Sequence, residues 1–161
     1  MEYKMIELYK PKLEDLCFKQ AMLADEATMS YNHAWGGVIP FPQEKWAGWY
    51  DRWILRHEST RFYRYIKEYD TFIGEVAYHF DEEKQIYLAD VIVYAPYRGK
   101  GYGRTALDLL CEAARERGVR SLYDEIALDN PSVEMFLKCG FREVARTEET
   151  VLVKKELGED L

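Results

Sequence analysis

Residues 97–107, YRGKGYGRTAL, carry three glycines and three basic side chains, Arg98, Lys100 and Arg104. Where glycines turn a strand into a helix, free backbone N–H groups converge on one spot, with the positive end of the helix dipole behind them. The stretch reads as a nest for an anion, and spacing begins to separate the phosphate-bearing ligands it suits. A nucleoside triphosphate loop needs G-x-x-x-x-G-K-[ST], and no lysine here is followed by Ser or Thr. A dinucleotide fingerprint, G-x-G-x-x-G/A, is met formally by Gly101, Gly103 and Ala106, with Asp124 downstream for a ribose hydroxyl. Against that reading, the dinucleotide fold opens on its fingerprint, and here four strand candidates come first.

A second group of residues suits recognition rather than phosphate. All four tryptophans lie between 35 and 53, near Tyr31, His33 and Phe41. Trp46, Trp49, Tyr50 and Trp53 fall on one helical face and are expected to be that helix's buried side. Asn32, His33 and Trp35 lie in a Gly/Pro-rich loop where no periodicity requires them, so they are candidate contacts for a small polar or cationic acceptor. Loop packing alone explains His33 equally well.

Composition bounds the rest. The chain has 161 residues, 48% of them apolar, enough for one core and one domain. Its net charge of −7 argues against a general nucleic-acid binder and makes the basic island at 98–104 stand out. Three scattered cysteines fit buried thiols in a reducing compartment, and no Cys/His spacing suggests a metal site. No apolar run is long enough to span a bilayer, and the first residues lack a signal-peptide pattern, so a cytoplasmic location is expected.

The elements that must position these groups follow from pattern. The periodicity predicts strands at 3–9, 62–68, 71–80, 85–94, 121–128, 141–147 and 150–155. It predicts helices at 13–29, 43–55 and 101–117, and a short one from Asn130 to Gly140. The short connectors after residues 68 and 80 imply antiparallel neighbours, whereas the strand–helix–strand run through 101–117 implies one parallel crossover. The expected class is therefore α/β, a mixed and mostly antiparallel sheet with one parallel βαβ unit and helices on both faces. LGEDL at 157–161 reads as a frayed tail.

Arg98-Gly99-Lys100-Gly101-Tyr102-Gly103 matches R/Q-x-x-G-x-G/A, and with ALDNPSVEMFLKCGF at 127–141 it resembles the GNAT acetyltransferases. The resemblance covers about residues 70–155, the cofactor-binding half, and leaves 1–69 as the variable acceptor-binding half. It implies acetyl-CoA as cosubstrate, no metal, and a primary amine of a small molecule or peptide as acceptor. A homodimer is compatible with it; nucleic acid and membrane partners are not expected.

By motif position it also assigns residues. Backbone groups of Arg98, Gly99, Lys100, Gly101, Tyr102, Gly103 and Arg104 would hold the pyrophosphate. Val91, Ile92 and Val93 would pair with the pantetheine, and Asn130, Ser132 and Phe136 would contact the cofactor from the far side. The family's tyrosine proton donor aligns with Phe136, which has no hydroxyl, so Tyr123 or Ser132 stands as a substitute. For the base, Tyr87, Ala89 and Val91 are expected to face the gap, with Asp90 on the opposite face. That leaves Glu75 first and Glu125 second. Two readings from other classes stay open at this point: a nicotinamide-dependent oxidoreductase and a non-catalytic acyl-CoA-binding domain.

Overall fold

A computed structural model describes residues 5–56 and 59–158, without the side chains of Ala34 and Trp35. Seven strands form one sheet in the order β1-β2-β3-β4-β5-β7-β6. They are β1 (Ile6–Tyr9), β2 (Arg61–Glu68), β3 (Thr71–Asp81), β4 (Ile86–Val93), β5 (Ser121–Ala127), β6 (Arg142–Arg146) and β7 (Thr150–Glu156). All neighbours are antiparallel except β4 and β5, the parallel crossover that the sequence implies.

Alternation along the strands sorts side chains onto two faces. Phe62 and Ile66 of β2 and Val76 and Tyr78 of β3 pack beneath α4 (Tyr102–Glu116) and α5 (Ser132–Lys138). Helix α4 contributes Ala106, Leu107, Leu110 and Ala114, all fully buried. On the other face Tyr63, Tyr65 and Ala77 meet Phe18 of α1 (Leu16–Ala24) and Trp49 and Tyr50 of α3 (Trp46–Tyr50), while Met29 of α2 (Glu26–Met29) packs with Leu16, Leu23 and Phe41. A single helix at 13–29 is not what forms. A 3-10 turn at Leu13–Asp15 precedes α1, and Asp25 interrupts, its carboxylate accepting the Thr28 N–H to cap α2. The aromatic helix at 43–55 is likewise composite, running through a 3-10 turn, α3 and a π-helical turn at Asp51–Leu55. The chain's end is not loose at Leu157, whose N–H donates to Arg120 O at 2.8 Å and whose side chain packs on the core; residues 159–161 lie outside those described.

The dinucleotide reading fails here on topology. The glycine segment follows the fourth strand of a mostly antiparallel sheet, so Gly101-x-Gly103-x-x-Ala106 does not open a doubly wound parallel fold.

Candidate active site: a cleft where two strands part

Strands β4 and β5 pair at only two positions, Tyr87 with Leu122 and Leu88 with Tyr123. Beyond them the strands diverge and open a cleft of about 1020 Å³. Which groups β4 offers to it follows from its register with β3. The Tyr94 N–H bonds Ile73 O at 2.9 Å, so in this antiparallel register the even-numbered residues bond β3. The N–H and C=O groups of Val91 and Val93 turn the other way, into the cleft. Arg98 Nε takes the Val93 carbonyl at 3.0 Å.

Gly74 makes this edge possible. A Cβ at Gly74 would lie 2.1 Å from the Ile92 carbonyl oxygen, closer than any side-chain carbon can approach. The Ile92 carbonyl is turned onto β3 where only glycine leaves room, and the planar trans peptide sends the Val93 N–H the opposite way.

The glycine segment lies at the end of that edge. Gly99 and Gly101 have φ of 77° and 85°, left-handed angles natural to glycine. Gly101 is the N-cap of α4, whose free N–H groups therefore stand at the cleft. Gly103 has a different reason to be small. A Cβ there would meet Met135 Sδ at 2.8 Å and Val93 Cγ2 at 3.4 Å, so close packing by itself favours glycine at this cleft-lining position.

The three cations do not act alike. Arg98 is half-buried, with a guanidinium that donates to the carbonyls of Ala27 and Thr28 as well as Val93, and it stacks near Tyr31. Burial pulls its pKa down. The side chain pins the loop to α2 and has little left for a ligand. Lys100 and Arg104 are exposed, and of the two only Arg104 lines the cleft. Tyr102 is turned into the fold, its hydroxyl donating to Glu68 Oε1 at 2.7 Å.

Beyond the cleft, Asn130 Oδ1 accepts the Ser132 N–H at 2.9 Å and so fixes the entry into α5. Asn130, Ser132 and Phe136 all line the cleft, with Phe136 packed edge-on against Phe141.

The catalytic candidates are sorted by their partners. Glu75 is 4% exposed, and its Oε1 accepts both Lys19 Nζ at 2.8 Å and the Tyr63 hydroxyl at 2.5 Å. Its charge is already matched. Glu125 lines the cleft but is held by Lys84 Nζ and the Thr150 hydroxyl, each at 3.1 Å. Tyr123 does not line the cleft; Lys154 Nζ lies 5.4 Å from its ring centroid, on the opposite side of β5 from the Leu122 and Ile126 core.

The face assignment that set Asp90 aside is also overturned, because both parities of β4 line the cleft where its neighbour is missing. The Asp90 side chain reaches cleft solvent, but protein surrounds it more widely. That burial, with the Glu75 charge beside it, lifts its pKa to about 6. Asp124, across the cleft on β5, is pushed well above the usual carboxylate range by burial and then by Asp90. Among the described residues no cation pairs with either.

The loop at 30–35 contributes less than expected. Asn32 lines the cleft while its amide donates to Gly37 O at 2.8 Å. His33 Nε2 meets Asp129 Oδ2 at 2.8 Å on the surface, outside the cleft lining, and the Trp35 side chain lies outside what is described. In their place stand Trp49 and Trp53, stacked at 6.1 Å and both lining the cleft. Their i,i+4 spacing signals a buried helix face and gives no sign that a strand-edge opening lies beyond it. Lys19, within an apolar helical stripe, carried no sequence signal at all.

Comparison with known proteins agrees with this geometry. Residues 21–141 match the model of the Acetyltransferase (GNAT) family. Two N-acetyltransferases, both described as uncharacterized, are similar over part of their length. YycN of Bacillus subtilis (strain 168) is 36% identical over 62 residues, 38% of this chain and 40% of its own. MJ1207 of Methanocaldococcus jannaschii is 23% identical over 110 residues, 64% of this chain and 48% of its own. The matches thus span less than half of these relatives. Among solved structures, the spermidine N-acetyltransferase of Vibrio cholerae, in complex with CoA and spermine, aligns with a TM-score of 0.80. It is 18% identical and covers 95% of this chain and 96% of its own. The yncA protein of Salmonella typhimurium, with its cofactor acetyl-CoA, gives 0.76 at 18% identity over 97% and 96%. These likenesses establish a shared fold. With the family match over most of the sequence, a parted β4–β5 pair and the Arg98–Gly103 segment at its mouth, the chain belongs to the acetyltransferase (GNAT) family.

Proposed function

We propose that the protein transfers an acetyl group from acetyl-CoA to a primary amine of a small molecule by direct attack. The observation that carries this reading is the β4 edge turned to the cleft, both backbone groups of Val91 and the N–H of Val93 (its carbonyl is taken by Arg98), leading toward the N–H groups of Gly101 and the first turn of α4. A strand edge followed by an anion nest suits a ligand with amide groups at one end and a pyrophosphate at the other. The residues present fit acetyl-CoA, which when bound supplies an activated acyl group on a thiol leaving group.

The chain's own groups divide the remaining work. Asp90 is the base: it faces the cleft, lacks a cation partner and has a pKa of about 6, so at neutral pH it is ionised and able to take a proton from an ammonium. The Val93 N–H, aimed into the cleft by the geometry at Gly74, is placed as an oxyanion donor. Asp124, pushed well above the usual carboxylate range by burial and then by the Asp90 charge, is the group that gives the departing sulfur its proton, a task Phe136 has no hydroxyl to perform. Glu75 positions Lys19 and Tyr63, and Glu125 is a neighbour of the site rather than its base.

Calorimetric titration with CoA, acetyl-CoA and NADH, followed by thiol release across a panel of amines, tests the reading. CoA and acetyl-CoA should bind at micromolar concentration and NADH should not; binding of NADH without CoA sinks it.

A further inference from the structure

Along the acceptor side of the cleft, nearly every negative charge is already matched from within the chain. Glu75 is bound to Lys19, whose ammonium lies 4.8 Å from the Trp49 ring centroid and 4.7 Å from that of Tyr63, with Phe41 at 5.8 Å. Two or three aromatic faces and a carboxylate make up the usual receptor for a ligand ammonium. Here that receptor is occupied by the chain's own lysine, whose side chain is 8% exposed. Glu125 is matched by Lys84. His79, half-buried against Trp53, has its pKa lowered by burial and is neutral at pH 7. What remains without a bonded cation among the described residues is Asp90 with Asp124 beside it; Lys19 acts on Asp90 only through space, and repulsion between neighbouring carboxyls disfavours ionising both. Around that pair the cleft offers the Trp49–Trp53 stack, Ala77 and Leu88.

We propose that the acceptor is a monoamine, one ammonium on an apolar body the size of an aromatic ring, and that Lys19 excludes polyamines by filling the place of a second ammonium. This rests on the acetyltransferase reading above and narrows it. The contrast is with the fold neighbour solved with spermine, since a polycation entering this cleft would meet Lys19 instead of a free carboxylate.

The test compares 2-phenylethylamine with spermidine as acceptors for the full-length protein, by thiol release and by calorimetric binding of each amine in the presence of CoA. The wild type should favour 2-phenylethylamine by about tenfold or more in kcat/KM, and should bind it more tightly. Lys19→Met frees Glu75 and should move the ratio toward spermidine by about tenfold, with CoA affinity unchanged. Lys19→Met with Glu75→Gln should remove that gain, because no carboxylate is left to receive the second ammonium. Trp53→Ala should weaken 2-phenylethylamine alone, which keeps the proposal falsifiable if Lys19→Met fails to fold. Preference of the wild type for spermidine, or an unchanged ratio in folded Lys19→Met, overturns the proposal. CoA binding without binding or turnover of 2-phenylethylamine overturns it too while leaving the cofactor site standing; failure of CoA itself to bind overturns both.

Discussion

Asp90 shows how one side chain's environment sets both chemistry and stability. A positioned base contributes about 10²–10⁴-fold, so Asp90→Asn should lower kcat by about that range and remove the limb of the pH–rate profile near 6. Its effect on stability has the opposite sign. The folded chain holds this proton more tightly than the unfolded one, so the resulting stabilisation is full below about pH 4 and is lost as the pH rises through about 6. Asp90→Asn does not titrate, so its melting temperature relative to wild type should climb across that window and stay higher at pH 8. An inactive variant that is also less stable at pH 8 would contradict the assignment. Asp124 allows a complementary test. Asp124→Asn should slow turnover by about tenfold, and adding Phe136→Tyr should restore part of the rate. No rescue in a folded double variant would remove Asp124 from the proton path. Asp124 stood out only as a ribose contact, and alternation set Asp90 aside, because it assigns faces correctly only where a strand has neighbours on both sides and β4 loses one midway. The glycine segment was legible because its spacing is local. The Lys19–Glu75 contact joins residues 56 positions apart, which no sequence pattern encodes.

Among the elements, the β3–β4 pair carries the narrowest tolerance. Gly74→Ala places a carbon on the Ile92 carbonyl oxygen, and relief requires the strands to separate, at about 1–3 kcal/mol. The same shift rotates the Val93 N–H out of the cleft, so CoA affinity should fall together with the melting temperature. The glycines at the mouth should separate by mechanism. Gly101→Ala forces a side chain to φ 85°, costing about 1–2 kcal/mol, and should weaken CoA binding. Gly103→Ala presses on the flexible end of Met135 and should mainly lower stability, with little change in CoA affinity. Equal losses of CoA affinity in both would make Gly103 a ligand contact after all. The strands and α4 followed from periodicity with small shifts at their ends. The N-terminal helices did not, because Asp25 competes for the backbone as a cap and the π turn at Asp51–Leu55 leaves no mark in an apolar stripe.

At the scale of the molecule, the sheet is two blocks, β1–β4 and β5–β7, joined across the middle by two residue pairs. The His33–Asp129 contact also spans the two, on the surface. Amide exchange should expose this construction. Without ligand, the amides of Val91 and Val93, and those of β5 beyond Tyr123 that turn away from β7, should exchange faster than those of β2 and β3, and saturating CoA should slow them selectively. Uniform protection across all strands before CoA is added would contradict it. The consequence reaches past the site. A sheet normally carries every rung of its own ladder, but this one leaves a gap in the middle for a small molecule to bridge. On the acetyl-CoA reading proposed above, the bound cofactor would be mechanically an eighth strand, and the stability it adds would grow with the logarithm of its concentration. On that reading the stiffness of this protein is not fixed by its own chain: it follows the supply of the coenzyme.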